Sequence, residues 1–260
     1  MTNAVEVIEG YAALPGEATG GVAALGNFDG VHRGHRAVLD AAAALAAERG
    51  VPRVAACFKP HPRRYFAPAS PPFRLQSDGQ RARALAEAGA QRVHLIPFGP
   101  ETAAMSPEEF ARQVLAGGLK LDGVVTGGDV RAGGADDLAR LGAALGFTAR
   151  TAEEVAGQDG KISSTLIRES ITDGDPERAR DLLGRPFAID GVVAKGDQRG
   201  RTIGFPTANV GLGDYVRPKF GVYAVTARLS DGRSVPGVAN IGKRPTVSGL
   251  DARLEAHLFD

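Results

Sequence analysis

The sequence predicts an α/β protein: a parallel sheet covered by helices on both faces, followed by a smaller antiparallel β domain. Three observations carry this. Short apolar runs alternate with segments of helical period through the first part of the chain, joined by short connections. From Phe187 onward, short strands and glycine turns replace that alternation. With 260 residues and 43% apolar side chains, the chain has core for one large domain or two modest ones. The boundary is placed between residues 1–184 and residues 185–260.

Residues 1–21 are a lead-in with an edge strand at 5–8. Val22-Ala23-Ala24-Leu25 is a strand, and Gly26-Asn27-Phe28-Asp29-Gly30-Val31-His32-Arg33-Gly34-His35 follows it as a glycine-punctuated turn. A helix over 36–49 stops at Gly50. His32 and His35 lie on neighbouring faces of a first helical turn, and Gly34 lets a ligand approach the backbone. The free amides and positive end of that turn favour anions, and two imidazole donors suit a polyphosphate. The plainer alternative is a pair of half-exposed histidines capping a helix. A metal pair is the weaker reading, because no cysteine or carboxylate stands beside His32 and His35 at a zinc spacing.

Residues 53–58 form a strand, and Lys59-Pro60-His61-Pro62-Arg63-Arg64 after it, with two prolines, reads as a rigid loop rather than a helix. Leaving the C-terminal end of a strand, it either meets an anionic substrate or is a solvated turn. A helix over 78–88 and a strand over 92–96 come next, with His94 read as structural. Ser106-Pro107-Glu108-Glu109 is a capping box for a helix running to about residue 115. A strand over 122–126 and a helix over 136–145 complete the alternation. Neither the dinucleotide fingerprint nor the P-loop occurs.

Lys161-Ile162-Ser163-Ser164-Thr165-Leu166-Ile167-Arg168 places hydroxyls at a helix start and Arg168 one turn after Ser164. Hydroxyls, amides and a guanidinium suit phosphate oxygens; the alternative is an ordinary N-cap with a surface arginine. A short helix begins at Asp175-Pro176-Glu177. In the second domain, strands over 222–229 and 235–241 flank Asp231-Gly232, a hairpin signal, and Pro236 suggests an edge or bulge. Before them, glycines at 196, 200 and 204 allow backbone near a phosphate chain, while Thr207 and Asn209 offer oxygen ligands suited to Mg²⁺. A glycine-rich β connection is the alternative there.

A net charge of +1 gives no basis for a general nucleic-acid or acidic-membrane binder. Cys57 is the single cysteine, which excludes an internal disulfide framework and a cysteine zinc cluster; within its apolar run it reads as buried and inert. No apolar stretch approaches the roughly 20 residues of a membrane helix, so the expected compartment is the cytoplasm. Oligomeric state is not set by these observations.

The 26–35 motif and Ile162-Ser163-Ser164-Thr165-x-x-Arg168 resemble the two signatures of the HxGH nucleotidylyltransferase superfamily. Gly26 to His32 resembles its FMN adenylyltransferase branch, as does Phe58-Lys59-Pro60-His61-Pro62. Gly204-Phe205-Pro206-Thr207-Ala208-Asn209, Gly221-Val222-Tyr223 and the run from Gly237 to Thr246 resemble riboflavin kinase motifs. Their order is that of the bifunctional prokaryotic riboflavin kinase and FAD synthetase family. The resemblance implies a Rossmann-like nucleotidylyltransferase domain and a partial antiparallel β-barrel kinase domain, acting on ATP, FMN and riboflavin with Mg²⁺. It implies that the first domain joins ATP and FMN into FAD and pyrophosphate, and that the second phosphorylates riboflavin.

By the same resemblance, His32, His35 and Arg168 are catalytic, and Gly26, Asn27, Phe28, Asp29, Gly34, Ser163, Ser164 and Thr165 bind ATP. His61, Pro62 and Asp129 contact flavin, while Gly196, Gly204, Pro206, Thr207 and Asn209 serve the kinase, with Thr207 and Asn209 holding Mg²⁺. The chain departs from the pattern twice. Val130 and Ala132 stand where that branch has aromatic residues, and the family's kinase domain continues past Asp260. Either this chain is accordingly a fragment, incomplete at the C-terminus of its kinase domain, or its kinase half is impaired, with the family's catalytic glutamate expected beyond residue 260. Two other readings are carried: nucleotidyl transfer to another phosphate acceptor, and a flavin- or nucleotide-binding protein without turnover.

Overall fold

The structure, a computed structural model, describes residues 5–128, 135–157, 160–194, 205–246 and 249–259. Two compact units share the chain, one built from residues 1–70, 78–164 and 182–184, the other from 71–77, 165–181 and 185–260.

In the first unit the elements run β1 (Glu6–Glu9), β2 (Val22–Leu25), α1 (Arg33–Arg49), β3 (Arg53–Lys59), α2 (Pro62–Phe66), α3 (Asp78–Glu87), β4 (Arg92–Pro97), α4 (Pro100–Ala104) and α5 (Pro107–Phe110). They continue with β5 (Gly123–Thr126), α6 (Ala135–Leu145), β6 (Thr148–Thr151) and the small hairpin β7 (Ala156–Gly157) and β8 (Gly160–Lys161); α7 (Ser164–Asp173) and α8 (Pro176–Leu183) follow in the chain, and most of both belongs to the second unit. The sheet order is β1-β4-β3-β2-β5-β6, every pair parallel, as expected from the alternation. All four residues of β2 are buried, because alternate residues feed two cores. Val22 and Ala24 pack with Val38, Leu39 and Leu45 of α1, whereas Ala23 and Leu25 pack with Val114, Leu115 and Leu138. Cys57 lies in the first of these cores, a small apolar residue between larger ones.

From β2 the chain winds outward through β3 and β4, then returns to the other side of β2 to make β5 and β6. That reversal falls between β2 and β5, and at such a reversal open parallel sheets receive ligands outside the C-terminal ends of their strands. The 26–35 motif leaves the C-terminal end of β2 at this reversal.

Two local expectations are corrected. The 59–64 segment is not wholly loop, since Pro62 opens the single turn α2 from its first position, where its missing N–H costs nothing, and His61 caps it. The helix from the Ser106–Glu109 capping box does not stay α-helical to residue 115; beyond Phe110 it widens into a π-helical stretch, Ala111–Gly118. Strand β6 carried no usable pattern, for Thr-Ala-Arg-Thr is only half buried at a sheet edge.

His94 sits in β4 with no exposed surface, and among the described residues neither ring nitrogen has a hydrogen-bond partner. Burial, with Arg92 adding repulsion, pushes its pKa down to about 4. Below the ordinary value of about 6.5, the unfolded chain takes up a proton that the folded chain refuses, so stability is full above that value and is lost as pH falls toward 4. The loss amounts to about 3 kcal/mol. In urea unfolding, His94→Leu is expected to lose less stability than the parent between about pH 7.5 and pH 4.5 by most of that amount. Parallel losses in the two proteins would clear His94 of the effect.

The second unit carries β9 (Val193–Ala194), β10 (Ala208–Gly211), β11 (Gly221–Arg228), β12 (Ser234–Thr246) and β13 (Gly249–Leu258), in the order β11-β12-β13-β10-β9 with antiparallel neighbours. Asp231-Gly232 makes the turn between β11 and β12 as its sequence requires: Gly232 has φ +89°, and the Asp231 carboxylate accepts the Arg233 N–H at 3.0 Å. Pro236 pairs with Thr226 of β11, just before the ladder to β13 begins at Gly237.

Candidate functional site

After β2, the Gly26 N–H bonds the Ala56 carbonyl of β3, and the chain turns sharply. Phe28, Gly30 and Val31 all have left-handed φ, at +51°, +100° and +40°. For Phe28 and Val31 that conformation costs energy, which is offset by complete burial of both side chains. The turn delivers His32 as the N-cap of α1, its Nδ1 accepting the His35 N–H at 3.2 Å. With Nδ1 an acceptor, the neutral ring carries its proton on Nε2, a donor. The two imidazoles stack with centroids 3.6 Å apart, and Phe28 meets His35 edge-on at 5.2 Å.

The second motif closes on the first. Ser164 Oγ donates to the Asp29 carbonyl at 2.7 Å across 135 residues of sequence. A Cβ on Gly34 would stand 3.1 Å from the Ile162 carbonyl and 3.2 Å from the His32 ring. The structure thus brings together Gly26 to Asp29, His32, Gly34, His35 and the 162–164 segment, at the sheet's topological reversal. Ser163 is half-buried beside Ser164. Thr165 and Arg168 fall in the second unit, where Arg168 Nε donates to the Phe73 carbonyl at 2.7 Å and the guanidinium lies 5.6 Å from the Phe73 ring.

Gly34 is the second residue of α1, where alanine gains over glycine less than the roughly 1 kcal/mol of a helix interior, so Gly34→Ala should melt close to the parent. The added methyl must nevertheless displace the His32 ring or the 162 carbonyl. A fall of roughly tenfold to a hundredfold in kcat/KM at unchanged stability is expected, and unchanged turnover of ATP would show that this close approach does not matter.

At the end of β3, the His61 Nδ1 accepts the Arg63 N–H at 3.1 Å, so the neutral ring again carries its proton on Nε2. Beside it stands an aromatic group that the sequence reading passed over: Tyr65, Phe66 and Phe98 meet pairwise at 5.3 to 5.6 Å, and Phe58 backs Phe98 at 5.3 Å. Phe66 is 67% exposed, unusual for phenylalanine and suited to covering a planar ligand. The signal was two adjacent aromatics, Tyr65 and Phe66, following His61-Pro62-Arg63-Arg64 in a chain with few aromatic residues. Asp129 lies outside the described residues, as do Gly196 and Gly204.

In the second unit, Pro206 and Thr207 lead into β10, which carries Asn209. Asn209 is 7% exposed, and among the described residues its Oδ1 has no hydrogen-bond partner. A buried amide oxygen left open suits a hard cation such as Mg²⁺. The Pro206 carbonyl accepts the His257 Nδ1–H at 2.9 Å.

A family model described as FAD synthetase matches residues 15–166, and one described as riboflavin kinase matches residues 183–260. The bifunctional riboflavin kinase/FMN adenylyltransferase of Escherichia coli K12 is 40% identical over 246 residues, covering 93% of this chain and 79% of the relative. That of Pseudomonas fluorescens is 41% identical, covering 98% and 84%, and that of Bacillus subtilis 37%, covering 92% and 78%. The chain belongs to the bifunctional riboflavin kinase/FMN adenylyltransferase family. A crystal structure titled as a macrolide-efflux protein from Streptococcus pneumoniae has the same fold, with TM-score 0.86 and 30% identity over 98% of this chain and 85% of that one. Among the described residues here, no helix is long and apolar enough to cross a membrane.

The kinase carboxylate was expected beyond residue 260, but strand β13 carries a carboxylate before that point, Glu255. Glu255 is the register partner of both Asn209 on β10 and Asn240 on β12, so its side chain shares their face of the sheet. His257, two residues on, shares it too. The signal was the alternation Arg253-Leu254-Glu255-Ala256-His257-Leu258, whose even positions are apolar and whose odd positions are polar.

Proposed function

We propose that this chain makes FAD by adenylyl transfer from Mg-ATP to FMN in its first unit, and makes FMN by phosphorylating riboflavin in its second. The observation that carries the first activity is the meeting of the two phosphate-type motifs, through Ser164 and Asp29, at the C-terminal ends of β2 and β5. Its substrates are small molecules, and it works in the cytoplasm.

In adenylyl transfer, a phosphate oxygen of FMN attacks the α-phosphorus of ATP; the new P–O bond forms as the bond to pyrophosphate breaks, and negative charge grows on the leaving group. No covalent enzyme intermediate is needed, so the residues act by position and charge. His32 and His35 donate hydrogen bonds to the phosphates, the Nε2 tautomer of His32 being set by its cap. The amides of the 26–35 turn and the hydroxyls of Ser163 and Ser164 hold the triphosphate, with Thr165 and Arg168 assigned phosphate roles by their motif. His61, Pro62 and the exposed aromatics at 65, 66 and 98 receive the flavin.

In the kinase step, the riboflavin hydroxyl attacks the γ-phosphorus, its proton passes to the Glu255 carboxylate and ADP leaves. Thr207 and Asn209 would hold Mg²⁺, which neutralises phosphate charge when bound. His257 steadies the Pro206 carbonyl beside them.

The test is chromatography of flavin products from the purified chain with Mg-ATP and either FMN or riboflavin. FAD is expected from the first and FMN, then FAD, from the second. Flavin binding with no pyrophosphate released would overturn the reading in favour of a binding protein, and adenylylation of a different phosphate compound would change the acceptor.

A further inference from the structure

Arg81 of α3 is 1% exposed although its side chain is permanently charged. Its Nη1 donates to the Asn27 carbonyl at 3.1 Å and to the Phe58 carbonyl at 3.2 Å, and its Nη2 meets Asp78 Oδ1 at 3.0 Å. Nε has no hydrogen-bond partner among the described residues. A guanidinium at this depth is costly unless its bonds are kept. Asn27 lies just past the end of β2 in the turn that leads to His32, while Phe58 lies near the end of β3, directly before the His61 segment. Those strands are neighbours, so one nitrogen ties the roots of two substrate-binding segments together. Both carbonyl bonds sit at the long end of the hydrogen-bond range, where a few tenths of an ångström decide their strength.

We propose that Arg81 is a positioning residue that couples seating of ATP on the 26–35 turn to seating of FMN on the 59–66 segment. The inference rests on the adenylyltransferase reading above. When a triphosphate draws the Asn27 carbonyl into place, Arg81 Nη1 carries the Phe58 carbonyl with it, and the flavin segment is set before FMN arrives. Neither substrate touches Arg81 in this scheme.

The experiment titrates FMN by flavin fluorescence with and without the Mg complex of α,β-methylene ATP, in the parent chain, Arg81→Lys and Arg81→Met. In the parent, the analogue is expected to tighten FMN about tenfold; in Arg81→Met that factor should fall to about one. Lysine keeps a cation for Asp78 but lacks the planar fork, so Arg81→Lys should fold and still lose most of the coupling. It carries the test should Arg81→Met fail to fold. A purely structural role would lower the folded fraction of each variant while leaving the coupling factor of the folded molecules intact. That result, or a parent with no coupling, overturns the proposal. A parent that neither binds FMN nor converts it to FAD overturns the adenylyltransferase reading instead.

Discussion

Replacing both His32 and His35 by alanine is expected to lower pyrophosphate release from Mg-ATP and FMN by about a thousandfold or more, on the scale that removing a preorganised donor commonly produces. The effect should fall on kcat more than on KM, because donors aimed at the phosphates act most strongly as charge shifts to the leaving pyrophosphate. His32 has a second duty that complicates a simple alanine experiment: it caps α1, and a lost cap costs about 1 kcal/mol. His32→Asn separates the two roles. An asparagine oxygen can take the His35 N–H, preserving the helix start, but the side chain does not extend to the imidazole Nε2 position. We expect His32→Asn to melt close to the parent and to be nearly as inactive as His32→Ala. If it keeps parental turnover, His32 is only a cap and the phosphates are held by other groups. Riboflavin phosphorylation, assigned to the second unit, serves as the control in the same preparations.

What could be read in advance follows from how local each signal is. The buried strands of the parallel sheet are continuous apolar runs, and the Ser106–Glu109 cap and the Asp231-Gly232 turn are decided by three or four adjacent residues. That the 26–35 and 162–168 motifs serve one triphosphate was legible from the family they resemble, but the bond that joins them was not, because Ser164 reaches Asp29 only through the order of the strands. The partners of Arg81 were hidden for a similar reason: two are backbone carbonyls, and a carbonyl leaves no mark in the sequence. The segment 59–64 was misread where two effects compete, since proline breaks a helix interior yet opens a first turn. The place of Glu255 opposite Asn209 follows from strand phase, not from motif position, so the motifs alone pointed past residue 260. Once β13 is in register, the odd-numbered residues share a face with Asn209, and a carboxylate there is no longer an anonymous surface charge.

That assignment makes the second large prediction: Glu255→Gln should lower FMN formation from riboflavin by roughly a hundredfold to ten-thousandfold while leaving FAD formation from FMN at the parental rate. Glutamine has the same shape and keeps a hydrogen-bonding carbonyl, but it cannot take a proton from the attacking hydroxyl. The loss should therefore appear in kcat with little change in KM for riboflavin or Mg-ATP. Asn209→Ala should behave differently. It removes the buried oxygen that faces the same site, so KM for Mg-ATP should rise, and extra Mg²⁺ should recover part of the activity. The two variants thus divide proton removal from nucleotide binding on one sheet face. Full kinase turnover in Glu255→Gln would remove it as the base, and the carboxylate would have to be sought on another strand. Equal loss of both activities would mean instead that the substitution had damaged the whole chain, a result that a melting curve taken alongside would distinguish.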